Sequence, residues 1–299
     1  MMPHRSRPDG RPYILASPAV ALLLVFFLAP LVLLVRVSLY EGGGRSGFGI
    51  GGGGFYKPGT WSLQAYRTLL GENYFREVLT FTVLLGVGVA GITLAVAYPL
   101  SLFIHRLPPR AKALALAAVV LPKLANVLVV VYGLELLLGN SGPVNGLLVG
   151  LGAVSEPVTL FHNLTGVLIG ETYLILPYAV LVLVAALDRI DPTLLPAARG
   201  LGAGPLRAFW RVTLPLSAPG IALAALLSLI WALGAFTGPV LLGSPQELTL
   251  AVEVQRQTFE NINWPRGAAT AVLMLVTITA CLALYQVPAR LLKRWRGVS

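Results

Sequence analysis

The sequence predicts an all-α integral membrane protein of six membrane-crossing helices, with both termini in the cytoplasm, on three observations. Hydrophobic residues make up 56% of the 299 and charged residues only 11%, with a mean hydropathy of +0.79. Water-soluble domains carry about 25% charged residues, so this chain cannot cover a water-facing surface, and its solvent is mostly lipid. Six stretches reach the roughly twenty apolar residues that a helix needs to cross the hydrocarbon core. Lysine and arginine, finally, stand at the ends of those stretches with an uneven distribution between the two sides. The net charge of +10 therefore marks topology; the bases are not gathered on a soluble domain, as a nucleic-acid binder requires.

The first span is expected over Tyr13–Val35, behind a basic tail of residues 1–12 holding Arg5, Arg7 and Arg11. Its apolar run is too long for a signal peptide, and no small-x-small cleavage pattern closes it, so it reads as a retained helix. Gly42–Gly44 and Gly51–Gly54 follow. A phosphate loop would end in Gly-Lys-Ser/Thr, and no Gly-Lys pair occurs in the chain, so this is a flexible surface loop. Trp61 to Glu77 reads as one amphipathic helix at the outer interface. Its stripe is Leu63, Tyr66, Leu70 and Tyr74, with Leu69 and Phe75 beside it.

The remaining spans are expected at Leu79–Ile104, Ala113–Leu138, Leu164–Leu187, Ala218–Leu242 and Ala268–Val287, giving one membrane domain over 13–290 and a tail of 291–299. Tyr98-Pro99, Pro122, Pro177, Gly234 and Gly238-Pro239 should break them. Segments 141–155 and 246–264 are outer loops with short helices. Cys281 is alone in an apolar run, a small buried hydrophobe with no partner for a disulfide.

Orientation follows the positive-inside rule. One set of connections holds Arg5, Arg7, Arg11, Arg106, Arg110, Lys112, Arg189, Arg199, Arg207, Arg211, Arg290, Lys293, Arg294 and Arg296. The other holds Arg45, Lys57, Arg67, Arg76, Arg256 and Arg266, with Arg36 and Lys123 near or within helices. Fourteen against six puts the first set inside.

One inner connection is far longer than a turn. From Asp188 to about Ser217 it keeps a helical pattern of its own, with Leu194, Ala198 and Leu201 on one face and Asp191-Pro192 as cap and first helical residue. Gly202, Gly204 and Pro205 break that helix. A second piece follows, with Leu206, Phe209, Trp210 and Val212 apolar among Arg207 and Arg211. Two short helices about a sharp bend make a knob for something to hold.

Chemistry-bearing constellations are missing. His4, His105 and His162 are scattered, no Gly-x-Ser-x-Gly elbow or intramembrane aspartate pair occurs, and a zinc site lacks its ligands, so the chain is not expected to be an enzyme. Ionisable groups inside a bilayer are costly and hence functional suspects. Lys123 lies beside Pro122 and near Asn126, Glu135 further along the same span, and Glu171 and Tyr173 in the fourth span, with Tyr178 a turn later. They read either as a polar translocation path or as interhelical pairs and snorkelling side chains. Trp231 in the fifth span either lines that path or packs.

The knob resembles the cytoplasmic signature of permease subunits of ABC importers: Glu-Ala-Ala, three residues, Gly, nine residues, Ile-x-Leu-Pro. Here Ala197-Ala198 is followed at that spacing by Gly202 and then Val212-Thr213-Leu214-Pro215, with Pro196 in place of the glutamate. Tyr98-Pro99-Leu100, Asn163 and Asn263-Trp264-Pro265 make the rest similar to the spermidine/putrescine-type group. The resemblance implies a type I importer permease fold in the bacterial inner membrane. It implies a coupling loop (Ala197, Ala198, Leu201, Gly202, Ala203, Gly204, Pro205, Leu214, Pro215) docked on a cytoplasmic ATPase; the candidate path residues remain those read from the polar positions within the spans, Lys123, Asn126, Glu171, Tyr173 and Trp231. Its partners would be two ATP-binding subunits holding ATP and magnesium, a second permease chain and an external binding protein. No cofactor would be bound by this chain itself. A polyamine is the favoured cargo; ferric iron, thiamine, a phosphonate or another organic ion are alternatives. Glu247, Glu253 and Glu260 in the outer loops fit a cationic cargo or a basic docking surface. An ion-coupled carrier is the remote alternative, and it would leave the knob without a purpose.

Overall fold

The computed structural model describes residues 11–42, 56–57 and 59–295. The tail with His4, Arg5 and Arg7, most of the glycine-rich loop with Arg45, and Arg296 lie outside the described residues. By contact density the described chain divides into two compact units. One holds the residues through Gly71 together with Val254–Leu273; the other holds Glu72–Glu253 and the residues from Met274 onward.

In the first unit, α1 (Arg11–Ser38) is apolar on every described face, and its large side chains from Val20 to Val35 are exposed, as a helix solvated by lipid requires. Its end is tied by Ser38 Oγ to Tyr66 OH (2.7 Å) and by Arg36 Nε donating to Tyr40 OH (2.5 Å). A two-residue antiparallel ladder pairs Glu41 with Lys57 and Gly42 with Tyr56, and Tyr40 stacks on Tyr56. The helix expected over Trp61–Glu77 is shorter. α2 runs only Gln64–Gly71, and after Glu72 the chain enters α3 (Asn73–His105), so Tyr74 and Phe75 belong to the second span. Leu69 and Phe75 are buried, whereas Leu63, Leu70 and Tyr74 are exposed.

The second unit is built on α3, α7 (Leu164–Asp188) and α10 (Leu214–Leu233), which pack pairwise. The chemistry of that packing is small residues and methyls. Ala97, Ala179, Val180, Leu183 and Ala224 are fully or almost fully buried together. A β-carbon at Gly220 of α10 would overlap the Ala186 β-carbon of α7, so the two backbones approach as only glycine permits. Buried hydroxyls bond back into their own helices: Thr82 Oγ1 to the Val78 carbonyl and Ser228 Oγ to that of Ala224.

The third span is not one helix. α4 (Pro109–Val120) passes through a 3₁₀ turn at Leu121–Leu124 and an extended Ala125 before α5 (Val127–Leu138) begins. Pro122 breaks the rod as expected. Pro99 and Pro177 do not: both sit inside continuous α-helices. The fifth span is also corrected, for α10 starts at Leu214 and stops at Gly234, and Thr237–Leu242 forms the separate short α11. Two asparagines open helices as N-caps. Asn163 Oδ1 accepts the Gly166 N–H (3.0 Å) at α7, and Asn263 Oδ1 accepts that of Arg266 (3.2 Å) at the last helix, Trp264–Trp295. Between α5 and α7, the short α6 (Pro143–Gly150) carries buried Asn145, whose amide bonds Gly139 and Val158 on both sides of the loop.

Gly220→Leu tests the close approach of α7 and α10. Overpacking of this kind costs about 1–3 kcal/mol, so the detergent-solubilised protein should unfold at a clearly lower temperature; an unchanged midpoint would contradict the packing.

Candidate functional site

The structure brings three of the predicted path residues together. Glu171, on α7, is 2% exposed, and its Oε2 accepts the indole N–H of Trp231 of α10 at 2.7 Å. The backbone N–H of Gly238, at the start of α11, gives the carboxylate a second donor. Gly238 has to be glycine for this, because a β-carbon there would overlap Glu171 Oε1. Lys123, on the 3₁₀ turn, holds its ammonium 4.4 Å from the Trp231 ring centroid and 5.4 Å from that of Tyr178. Burying a carboxylate is affordable only with hydrogen bonds and an opposite charge nearby; Glu171 has both, since Lys123 acts on it electrostatically.

Tyr173 lies two residues beyond Glu171 on α7, on the wall of a cleft of about 160 Å³ that also includes Pro122, Lys123 and Pro177. Asn126 does not join. Its side chain accepts the Leu128 N–H at 2.8 Å and caps α5, a local role. Glu135 lies half-buried on α5.

The acidic residues of segment 246–264 have structural partners. Glu253, on α12 (Leu250–Gln255), is buried and accepts from Tyr74 OH at 2.8 Å; Glu247 accepts from Ser244, and Glu260 faces Arg256. An open acidic face formed by these three is therefore ruled out for Glu253. A triad that the sequence reading missed joins Asp188 at the end of α7 to His105 Nδ1 (2.6 Å) and Lys112 Nζ (2.5 Å). Among the described residues no group of three metal-ligating side chains comes together.

The knob has the expected bend. α8 (Leu194–Gly200) carries Ala197 and Ala198 and ends in a Schellman motif: Gly202 N–H donates to the Arg199 carbonyl (2.9 Å) and Ala203 N–H to that of Ala198 (3.1 Å). Gly202 has φ +81°, the left-handed conformation that glycine adopts without strain. The fixed spacing from Ala197 to Gly202 is thus one helix end and its stop. Asp191 caps the turn before α8 instead of α8 itself, and hydrogen bonds from the Thr193 hydroxyl, then its N–H, hold its carboxyl below the ordinary carboxylate range. After Gly204, Pro205 opens α9 (Pro205–Ala208), and a π-turn at Phe209–Thr213 leads without interruption into Leu214-Pro215 and α10. Its second limb is therefore the head of the fifth span. Leu201 is 90% exposed, Leu206 71% and Trp210 59%, an apolar tip left bare.

Six helices long and apolar enough to cross a membrane, a polar cluster among three of their elements and an exposed bent loop between two of them have the layout of a membrane permease. The family described as the binding-protein-dependent transport system inner membrane component matches residues 83–297, and the chain belongs to it, an ABC importer permease. It is 32% identical over 234 residues to the spermidine/putrescine transport system permease protein PotB of Escherichia coli K12, covering 78% of this chain and 85% of that protein. The Haemophilus influenzae PotB is also 32% identical, over 273 residues, covering 91% and 92%. A crystal structure of a bacterial alginate ABC transporter in complex with its alginate pentasaccharide-bound periplasmic protein has the same fold, with a TM-score of 0.67, 20% identity and coverage of 91% and 92%.

Trp231→Phe keeps an aromatic face beneath Lys123 and deletes the donor to Glu171. Leaving a buried acceptor short of its partner costs about 1–3 kcal/mol, which thermal unfolding of the purified protein should register; an unaltered midpoint would mean the bond contributes nothing.

Proposed function

We propose that this chain is one half of the membrane channel of an ATP-driven importer for polyamines such as spermidine or putrescine. Lys123, Glu171, Tyr173 and Trp231 line its path, and both termini lie in the cytoplasm. The observation that carries the coupling part is the bare apolar tip at Leu201, Leu206 and Trp210, on a bend set by Gly202. On an inner-membrane permease of this family, an exposed apolar tip beside Arg199 and Arg207 fits a groove on a partner. That partner is a cytoplasmic subunit carrying ATP and magnesium, one for each of two permease chains, the second being a distinct chain. ATP binding closes the two ATPases and draws the knobs together, which turns the path outward to meet an external binding protein. Hydrolysis then resets it.

The polyamine cargo is supported by the likeness to PotB and by Glu171, a carboxylate buried beside aromatic faces. Glu171→Gln should lower spermidine uptake while the complex still assembles; loss of assembly would make Glu171 a structural residue only.

Gly202→Asp tests the coupling assignment. At Gly202 a β-carbon meets nothing within 4 Å, so the added carboxylate points into open space and meets only what docks there. The left-handed backbone itself costs an aspartate about 1–2 kcal/mol, a strain that does not unfold a six-span protein. A tagged chain purified gently from membranes should bring an ATPase subunit with it. The variant should insert normally, lose that subunit and reduce uptake roughly tenfold or more. Full uptake by the variant would sink the coupling assignment.

A further inference from the structure

The indole of Trp231 is used twice. Its N–H edge is given to the Glu171 carboxylate, and its face is covered by the Lys123 ammonium at 4.4 Å. Tyr178 adds a second ring 5.4 Å from the same ammonium, and the two ring centroids lie 6.4 Å apart. A carboxylate accepting from the indole N–H pushes electron density into the ring and strengthens its pull on a cation. Aromatic faces around an ammonium, with an anion in electrostatic reach, are the way proteins hold alkylammonium ligands. Here the ammonium belongs to the chain itself.

The element that delivers it is built to move. Lys123 sits on a single 3₁₀ turn between two helices, a geometry with weaker hydrogen bonds than the α-helices on either side. Leu121 and Leu124 beside it are exposed, so their side chains do not anchor the turn within this chain. A lysine stem has four flexible carbons, and the cleft of about 160 Å³ on whose wall Lys123 lies offers room for it to swing. Tyr178 is 42% exposed, which leaves the cage open to an incoming group.

We propose that Trp231, Tyr178 and Glu171 form an alkylammonium-binding site that Lys123 occupies in the empty protein, and that a cargo ammonium enters by displacing it. This deepens the importer reading and rests on it for the natural ligand. The lysine keeps the buried carboxylate compensated while no cargo is present, so Glu171 is never left as an unpaired intramembrane charge. Exchanging one ammonium for another leaves the local charge unchanged. Anions and neutral solutes have nothing to exchange, so the lysine excludes them.

The test uses the membrane complex purified through a tagged copy of this chain, with tetramethylammonium chloride as the probe, titrated calorimetrically. Lys123→Met removes the occupant and should bind the probe at least about tenfold more tightly than wild type. Adding Trp231→Leu to that variant should remove the gain. A folded Lys123→Met complex with no gain, or a gain that survives Trp231→Leu, would overturn the proposal. Should Lys123→Met fail to fold, Lys123→Gln removes the charge and keeps a polar side chain, with the same two outcomes. Spermidine uptake into proteoliposomes is read separately. Absent wild-type uptake alongside tight probe binding by Lys123→Met defeats the polyamine cargo and leaves the site standing.

Discussion

No backbone group inside hydrocarbon can turn to water for a partner, and that constraint decides where this chain may stop being helical. Each break in the second unit has a side chain or backbone group standing ready. Asn126 caps the first residues of α5 after the 3₁₀ turn. Beyond α10, Thr249 Oγ1 donates to the Ala235 carbonyl, and Thr82 Oγ1 takes the N–H of Leu250. Breaks and polar groups therefore coincide. Lys123 stands in one break, Gly238 beside another, and Glu171 accepts from the second while facing the first. A polar cluster forms there because it is where rods end and donors become free.

The same constraint explains how much could be read from the sequence. Six apolar runs and a bent polar connection are local patterns, and both are present. The bend of the knob was legible, because a helix stop with glycine at a fixed distance is a property of the chain alone; the cap before it and the limb after it were not. Nor was the effect of a proline. Pro177 lies between buried Ile175 and Ala179 and Pro99 two residues from buried Ala97, within helices packed on one another; Leu121, Pro122, Leu124 and Ala125 around the break are exposed. The single helix assigned to Trp61–Glu77 failed for a different reason. The helix stops at Gly71 and a new one starts at Asn73, so Tyr74 and Phe75 belong to the second span.

The polar cluster was half legible. Lys123, Glu171 and Trp231 announce themselves as costly residues within apolar runs, but their meeting does not. Gly238 lies 67 positions beyond Glu171, and its contribution is an absent side chain, which no pattern of polarity records. Glu253 misleads in the opposite sense. It reads as a loop acid, yet it is buried on α12 against Tyr74 of α3.

The unbroken run from Pro205 through the π-turn to Leu233 places two distant things on one object. At 1.5 Å per residue, the 26 steps from Pro205 to Trp231 span about 39 Å of helix. Tilting such a rod by about 5° at one end moves the other by about 3 Å, comparable to the indole-to-ammonium spacing. Leu206 and Trp210 of the bare tip and the indole of Trp231 thus lie on one continuous helical run. Under the proposed coupling, a push at the first two would reach the third along a single lever.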